Sequence, residues 1–290
     1  MKLRFDKYLS ILKLVFSIVF TSITTFLSFI PLDKIGITNI CTKILILIIL
    51  LVFCFFVSQV VCYCKSTEKI WSRGSGSISI KYGDLLKKAF SKRTIFSKNK
   101  GGIYVIPVNT HFDTIIEDET IPNPLVSNRT IHGKWLKKYM GFTNKSSDDI
   151  QKEIYDYLDK KEEKYSVVSR NKGSKRLYPL GTCVILYGPN NTSFVLFALS
   201  HFDDKNNAYV SKDSLIESTH KLLLFINQNC QGKKCYIPLM GTSLSRVGLS
   251  HKESLHILLS TMSLYNYVIF NPIEIVIFNK DKDKVSIFDK

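Results

Sequence analysis

Two long apolar stretches without a charged residue stand near the start of the chain, at residues 14–30 and 44–64. A helix of about 20 residues crosses a hydrocarbon core about 30 Å thick, and in lipid a helix satisfies its own backbone hydrogen bonds. Only thirteen residues separate the two stretches. We therefore predict a transmembrane helical hairpin over residues 1–64, with helices at about 14–30 and 44–64, and a separate domain after it.

Basic residues flank both predicted spans, which indicates that the two flanks lie on the cytoplasmic side. The basic start also resembles the leader of a signal peptide. However, no A-x-A-like site follows Ile30, and a second apolar run comes almost at once, so we expect an uncleaved multi-pass protein with both termini cytoplasmic. A passive membrane anchor is the simpler alternative. The flanking residues are Lys2, Arg4, Lys7 and Lys13 before the hairpin and Lys65, Lys69, Arg73, Lys81, Lys87 and Lys88 after it.

The chain carries 40 Lys and Arg against 24 Asp and Glu, a formal charge of +16. Such a surplus suits nucleic acid, an anionic lipid leaflet or an anionic ligand, and a lysine-rich solvated surface beside acidic lipids is the default interpretation. Seven cysteines are present without a CxxC pair or a Cys/His ligand spacing. This pattern indicates neither a zinc site nor a disulfide framework.

Residues 65–77 are predicted to be a linker, with a flexible Gly/Ser joint at 72–77, and residues 78–290 a single domain. Runs rich in β-branched residues alternate with segments of helical period, which is typical of a layered α/β domain with a mixed sheet. Predicted strands cover residues 78–80, 102–108, 182–186, 194–198, 236–239 and 273–278, and predicted helices cover 82–90, 147–163, 212–228 and 250–263.

Loops of small and polar residues follow several predicted strands, at residues 109–114, 127–135 and 239–250. A diphosphate needs such a surface, with backbone donors close by and little side-chain bulk. Each loop also has a structural interpretation: Asn109 suits a turn, Ser250 and Glu253 form a capping box, and a lone histidine such as His132 is more often structural than catalytic.

Taken in order, four segments resemble macro domains, which bind ADP-ribose and its derivatives: residues 78–85, 107–109, 179–182 and 237–242. More narrowly, residues 106–109 with 112–114, 127–133, 178–182 and 241–246 resemble the divergent macro domain of Thoeris antiphage effectors. In that subfamily the domain follows two transmembrane helices. The resemblance implies a macro-like three-layer α/β/α domain behind the hairpin.

The resemblance also implies roles for individual residues. Asp84 would accept a hydrogen bond from the adenine amino group, and Asn109 would orient the distal ribose. Arg246 could pair with an added carboxylate or phosphate. The predicted ligand-binding residues are Asp84, Asn109, Thr110, Ser127, Ile131, His132, Gly133, Gly241, Thr242, Ser243, Leu244, Ser245 and Arg246, with no catalytic residue, metal or cofactor.

At the level of function, the resemblance implies an antiphage effector in the bacterial inner membrane. A TIR-domain partner would make an ADP-ribose-derived messenger, histidine-linked ADP-ribose, and the macro-like domain would bind it. Binding would drive homo-oligomerisation and disruption of the lipid bilayer, leading to abortive infection. Hydroxyl side chains of the first span could line a water path or bond back to their own helix. They are Ser17, Thr21, Ser22, Thr24, Thr25 and Ser28.

Two rival functions remain. One is a membrane-anchored ADP-ribosyl hydrolase, but hydrolytic macro domains carry a second asparagine three positions after the first, where this chain has Phe112, and their glycine run is replaced here by residues 127–130. We therefore expect binding rather than catalysis. The other is a membrane-tethered nucleic-acid-binding protein, which the charge suggests. The chain lacks a dense basic and aromatic motif for that role, so no nucleic-acid partner is expected.

Overall fold

The computed structural model describes residues 2–30, 34, 36, 38–64, 66–91, 101–118, 120–121, 124–203, 207–230, 232–242 and 248–289. The chain divides into two compact units, Met1–Ser66 and Thr67–Phe288.

The first unit consists of two helices that pack against each other, α1 (Lys2–Phe29) and α2 (Ile40–Cys64). The ring of Tyr8, near the start of α1, meets that of Phe55, late in α2, edge-on at 6.0 Å, so the helices run antiparallel. By length and composition, Tyr8–Ser28 and Ile40–Val61 could each cross a membrane. Most apolar side chains of α2 are exposed, as lipid-facing side chains would be.

Hydroxyl groups of α1 donate to carbonyl oxygens one turn earlier in the same helix. Thr25 donates to Thr21 at 2.8 Å and Ser22 to Ile18 at 2.8 Å. Of the two alternatives for these side chains, bonding back to their own helix is the one seen in this single chain.

The strands of the second unit are β1 Thr67–Arg73, β2 Gly76–Gly83, β3 Ile103–Asn109, β4 Ile116–Glu117, β5 Val126–Ser127, β6 Ser166–Val167, β7 Arg176–Leu177, β8 Cys183–Tyr187, β9 Ser193–Phe202, β10 Ala208–Tyr209, β11 Cys235–Pro238 and β12 Pro272–Phe278. Eight of them form one sheet of order β1-β2-β12-β11-β3-β9-β10, in which β8 pairs with residues 193–197 of β9. The five strands β2, β12, β11, β3 and β9 are parallel, and β1, β8 and β10 are antiparallel. Two small sheets, β4-β5 and β6-β7, lie apart.

Helices cover both faces of this sheet, giving the three-layer α/β/α mixed fold that was predicted. On one face, Leu86, Trp135 and Ile154 share a core with Ile106 and Phe194 of the sheet. Because strand side chains alternate between faces, Val105 and Val195 point to the opposite side, where α6 (Lys212–Asn229) lies against β9 and against α7 (His251–Leu264). The helices are α3 Leu85–Ala89, α4 Ile131–Thr143, α5 Ser147–Lys160, α6 Lys212–Asn229 and α7 His251–Leu264.

All six predicted strands and all four predicted helices are present, and the capping box of Ser250 and Glu253 at the start of α7 is confirmed. The predicted linker is wrong after Ser66, because β1 and β2 form a hairpin there. Gly74 makes the turn with φ 55°, and Gly76 lies so close to Ile269 that a Cβ would fall 2.0 Å from its carbonyl oxygen. The small residues of the supposed joint therefore serve a tight turn.

Candidate functional site

Several predicted site residues lie at one edge of the sheet. Asp84 follows β2, Asn109 ends β3, and Gly241 and Thr242 follow β11. These strands are parallel, so their carboxyl ends meet at the same edge, where open α/β sheets bind ligands. Because β2 and β3 are three places apart in the sheet, their ends are about 14 Å apart.

Asp84 caps the first turn of α3: its Oδ1 accepts the Lys87 N–H at 2.9 Å. No described residue donates to its Oδ2, so that oxygen can accept a bond from a ligand. A cleft of about 300 Å³ opens beside it. Its lining comprises Lys81, Tyr82, Gly83, Asp84, Lys87, Lys88, Ser91, Glu274, Val276 and Asn279.

The lysines of this cleft were not among the predicted site residues. Lys88 and Lys234 both pair with the buried Glu274, Lys88 at 3.1 Å. Burial raises the pKa of Glu274, but the two lysines more than offset this and keep the pKa below its usual range. Lys81 and Lys87 add positive charge next to Asp84. The sequence signal was the run of basic residues after the second span, which we assigned to membrane orientation.

Asn109 is buried where β3 ends, and its side chain holds the following turn. Its Oδ1 accepts the N–H groups of His111 at 3.0 Å and Asp113 at 3.3 Å, while its Nδ2 donates to Asp113 Oδ2 at 3.2 Å. Thr110 is fully buried, and its N–H donates to the Ser200 carbonyl at 2.9 Å. The structure thus gives Thr110 a packing role at this edge.

The start of α4 supplies backbone donors. Thr130 is its N-cap: the hydroxyl accepts the Gly133 N–H at 3.0 Å and donates to the Ser127 carbonyl at 2.7 Å. The N–H groups of Ile131 and His132 precede the first intrahelical bond, and no described residue accepts from them, so they can bind an anion. Thr130 was not among the predicted ligand-binding residues, although a threonine before a periodic segment is a helix-start signal.

His132 and Gly133 are buried and closely packed in the first turn of α4. Burial lowers the pKa of His132 to about 3, so its imidazole is neutral at pH 7 and adds no positive charge. A Cβ on Gly133 would lie 2.2 Å from the Ser127 carbonyl oxygen, so only glycine fits. Because the Gly133 N–H is bound by Thr130, it is not available to a ligand.

The loop after β11 is described only in part. Gly241 has φ 88°, a conformation that glycine adopts easily, and Thr242 bridges to Leu249. Four predicted ligand-binding residues, Ser243, Leu244, Ser245 and Arg246, lie outside the described residues.

Phe112 occupies the position where hydrolytic macro domains carry their second asparagine. Its side chain is 1 % exposed and packs edge-on against Tyr178, with ring centroids 5.6 Å apart. Its backbone is left-handed, with φ 52°. A buried phenyl ring cannot hold a water molecule for attack on a sugar. In the described part of the chain, no group of His, Cys, Asp and Glu is placed to hold a metal ion.

The arrangement suits an elongated anion, because an acceptor and lysines lie at one point of the sheet edge, an amide lies at another, and the start of α4 adds backbone donors. Residues 78–278 match the family of the Thoeris protein ThsA macro domain. The chain is 25% identical over 276 residues to Thoeris protein ThsA of Bacillus amyloliquefaciens (strain Y2), covering 92% of this chain and 83% of that relative.

Solved structures with a similar chain path include two of the Oceanobacillus iheyensis macrodomain. The structure with ADP has a TM-score of 0.46 at 12% identity, covering 77% of this chain and 93% of that one. A point mutant with ADPR has a TM-score of 0.44 at 14% identity, covering 77% and 95%. The family match spans more than half of the chain, and the chain therefore belongs to the family of the Thoeris protein ThsA macro domain.

Proposed function

We propose that this chain is a membrane effector of antiphage defence whose macro domain binds an ADP-ribose-derived signal, histidine-linked ADP-ribose, made by a TIR-domain partner. Family membership is consistent with antiphage defence and with an ADP-ribose-type ligand. Two apolar helices long enough to cross a bilayer support a location in the inner membrane, and the basic residues that flank them support cytoplasmic termini. Binding then promotes homo-oligomerisation and disruption of the bilayer, which ends in abortive infection.

The observation that carries the proposal is that Asp84, after β2, and Asn109, at the end of β3, lie at one edge of the sheet, while the start of α4 offers backbone N–H groups. The free oxygen of Asp84 suits an adenine amino group. The N–H groups of Ile131 and His132 suit a diphosphate, because helix N-termini carry partial positive charge. Asn109 lies at the far end, where the second ribose would be placed.

Binding rather than hydrolysis is favoured by Phe112. General-base hydrolysis needs a water held within hydrogen-bond reach of both a base and the reacting carbon. The phenyl ring is buried against Tyr178 and offers no hydrogen bond at that position.

For ligand binding in the macro domain to affect the membrane, the signal must bind the assembled state more tightly than the resting state. A shift from about 1% to about 99% assembled needs about a 10⁴-fold difference in affinity. A ligand with equal affinity for both states would change nothing.

The experiment is calorimetric titration of the full chain in detergent micelles with ADP-ribose and with histidine-linked ADP-ribose, followed by light scattering. The test variant is Asp84→Asn, because asparagine still caps a helix but presents an NH₂ group as well as an oxygen. Asp148→Asn, in the first turn of α5 and far in sequence from the edge, is the matched control.

We expect both nucleotides to bind, the conjugate more tightly, with growth of the particle only when ligand is present. Asp84→Asn should weaken binding by about 10-fold or more, the equivalent of one hydrogen bond to a charged group, and Asp148→Asn should not. Absence of binding by the unaltered chain would refute the proposal, and release of free ADP-ribose from the conjugate would favour the hydrolase instead. Dye release from liposomes carrying the full chain, on addition of the conjugate, tests the membrane step.

A further inference from the structure

The side chain of Asn109 has only one hydrogen-bonding group left for a ligand. Both lone pairs of its Oδ1 are used by the N–H groups of His111 and Asp113, and one hydrogen of its Nδ2 is used by the Asp113 carboxylate. No described residue accepts the second hydrogen. The residue is 4 % exposed, so water alone is a poor substitute for a missing partner.

Asp113 determines which way this amide faces. Its side chain is fully buried, and both of its oxygens accept hydrogen bonds. Oδ1 accepts from the backbone N–H of Ser174 at 2.7 Å and from the Arg170 guanidinium at 3.4 Å, and Oδ2 accepts from Asn109 at 3.2 Å and from the same guanidinium at 3.1 Å. A Cβ on Gly173 would lie 2.3 Å from Oδ1, so the carboxylate is enclosed on that side as well.

Arg170 belongs to residues 170–178, a segment that forms several bonds with the turn after Asn109. We call this segment the clamp. Besides the pair of Arg170 with Asp113, Lys172 pairs with Glu117, the Arg176 carbonyl bonds to the His111 ring at 3.0 Å, and the Tyr178 N–H donates to the Thr110 carbonyl at 2.9 Å. These contacts join two parts of the chain that are about 60 positions apart in sequence.

We infer that Asp113 and Arg170 are positioning residues that hold Asn109 so that it presents one amide N–H, and no carbonyl oxygen, to the ligand. This role rests on the proposed function, because it concerns the same edge of the sheet. The ligand must then offer an oxygen acceptor at that point, such as a ribose hydroxyl, a phosphate or a carboxylate. A group that can only donate is rejected.

Residue 113 must carry a carboxylate, because each hydrogen-bond donor around this turn needs an acceptor. The N–H groups of His111 and Asp113 need the Asn109 oxygen, and the N–H of Ser174 needs one oxygen at position 113. The other atom at position 113 must then accept from the Asn109 NH₂. If residue 113 were asparagine, two NH₂ groups would face each other, or one would face a backbone N–H. Arg170 balances the buried negative charge that this arrangement needs.

The test is titration of the full chain in detergent with ADP-ribose, comparing Asp113→Asn with the unaltered chain. We expect affinity to fall by about 10-fold or more, because a misdirected donor leaves a polar group unpaired. Asp159→Asn is the matched control, since it removes the 2.6 Å ion pair of the clamp with Arg176 without touching Asn109. Its affinity should stay within about twofold, as for a half-exposed pair.

A charge-swapped double variant, Asn109→Asp with Asp113→Asn, separates positioning from folding. It restores the bonds of residues 109 and 113 to each other, to the two backbone N–H groups of the turn and to Ser174, but not the pair with Arg170. Its melting temperature should therefore recover in part relative to Asp113→Asn. It should still bind ADP-ribose poorly, because an acceptor now faces the ligand. Where Asp113→Asn does not fold, this double variant carries the test.

Arg170→Lys keeps the positive charge and should retain more affinity than Arg170→Met. Undiminished binding by Asp113→Asn, or full binding by the double variant, would overturn the roles assigned here while leaving the proposed function in place. Absence of binding by the unaltered chain would overturn both.

Discussion

Replacing Gly133 by alanine tests whether the start of α4 is held as closely as the structure indicates. The new Cβ would lie 2.2 Å from the Ser127 carbonyl oxygen and 2.9 Å from its carbon, and both are backbone atoms that cannot rotate away. The helix start must therefore move away from Ser127 by about 1 Å to reach ordinary van der Waals contact. That movement disrupts the bonds of Thr130 to Ser127 and Gly133.

The free energy of unfolding should fall by about 2 kcal/mol. Overpacking costs about 2 kcal/mol and the weakened cap about 1 kcal/mol, offset by about 1 kcal/mol from the better helix propensity of alanine. For a domain of this size the melting temperature should drop by about 4–8 °C. Displacing the N–H groups of Ile131 and His132 should also weaken ADP-ribose binding by about 10-fold or more.

Gly141→Ala is the matched control, because it lies in the same helix and a Cβ there meets no atom within 4 Å. It should raise stability by up to about 1 kcal/mol. The assay is thermal unfolding of the full chain in detergent, with calorimetry on the same samples. If Gly133→Ala melts at the same temperature as Gly141→Ala, the close contact with Ser127 does not exist and the geometry assigned to the start of α4 is wrong.

Phe112→Ala should lower the free energy of unfolding by about 3–5 kcal/mol in denaturant titration, because it leaves a cavity beside Tyr178. Phe142→Ala, at a ring that is 51% exposed, should change it by no more than about 0.5 kcal/mol, and equal losses would contradict the buried placement of Phe112. His132 has a folded pKa of about 3 against an unfolded pKa of about 6.5, so the unfolded chain takes up the extra proton as pH falls between them. The free energy of unfolding should therefore fall by about 2 kcal/mol from pH 6.5 to pH 5 because of this group. His132→Leu should make the free energy of unfolding less dependent on pH in this range. The same pH dependence in this variant would show that His132 is not buried in its neutral form.

Periodicity was sufficient to predict the layers of the fold, because buried parallel strands such as β3 and β9 are continuous apolar runs. The same rule missed β1. β1 (Thr67–Arg73) mixes charged and bulky residues and lies at the edge of the sheet. The Gly and Ser residues after it look like a linker unless the pairing of β1 with β2 is known. The left-handed conformation of Phe112 was also beyond prediction, since nothing in residues 109–114 distinguishes that turn from a common one.

The loops of the candidate site could be located from sequence, but the groups left free within them could not. The resemblance indicated Gly133 as a ligand-binding residue, yet its N–H is bound by Thr130. It also indicated Asn109, without showing that the side-chain oxygen of Asn109 is occupied. The decisive partner, Arg170, stands 57 positions after Asp113, in a segment whose residues look like an ordinary charged surface. A hydrogen-bond count needs both partners of every bond. Recognition chemistry at this edge therefore depends on long-range contacts of the clamp, and substitutions there should alter ligand affinity even though no residue of the clamp needs to touch the ligand.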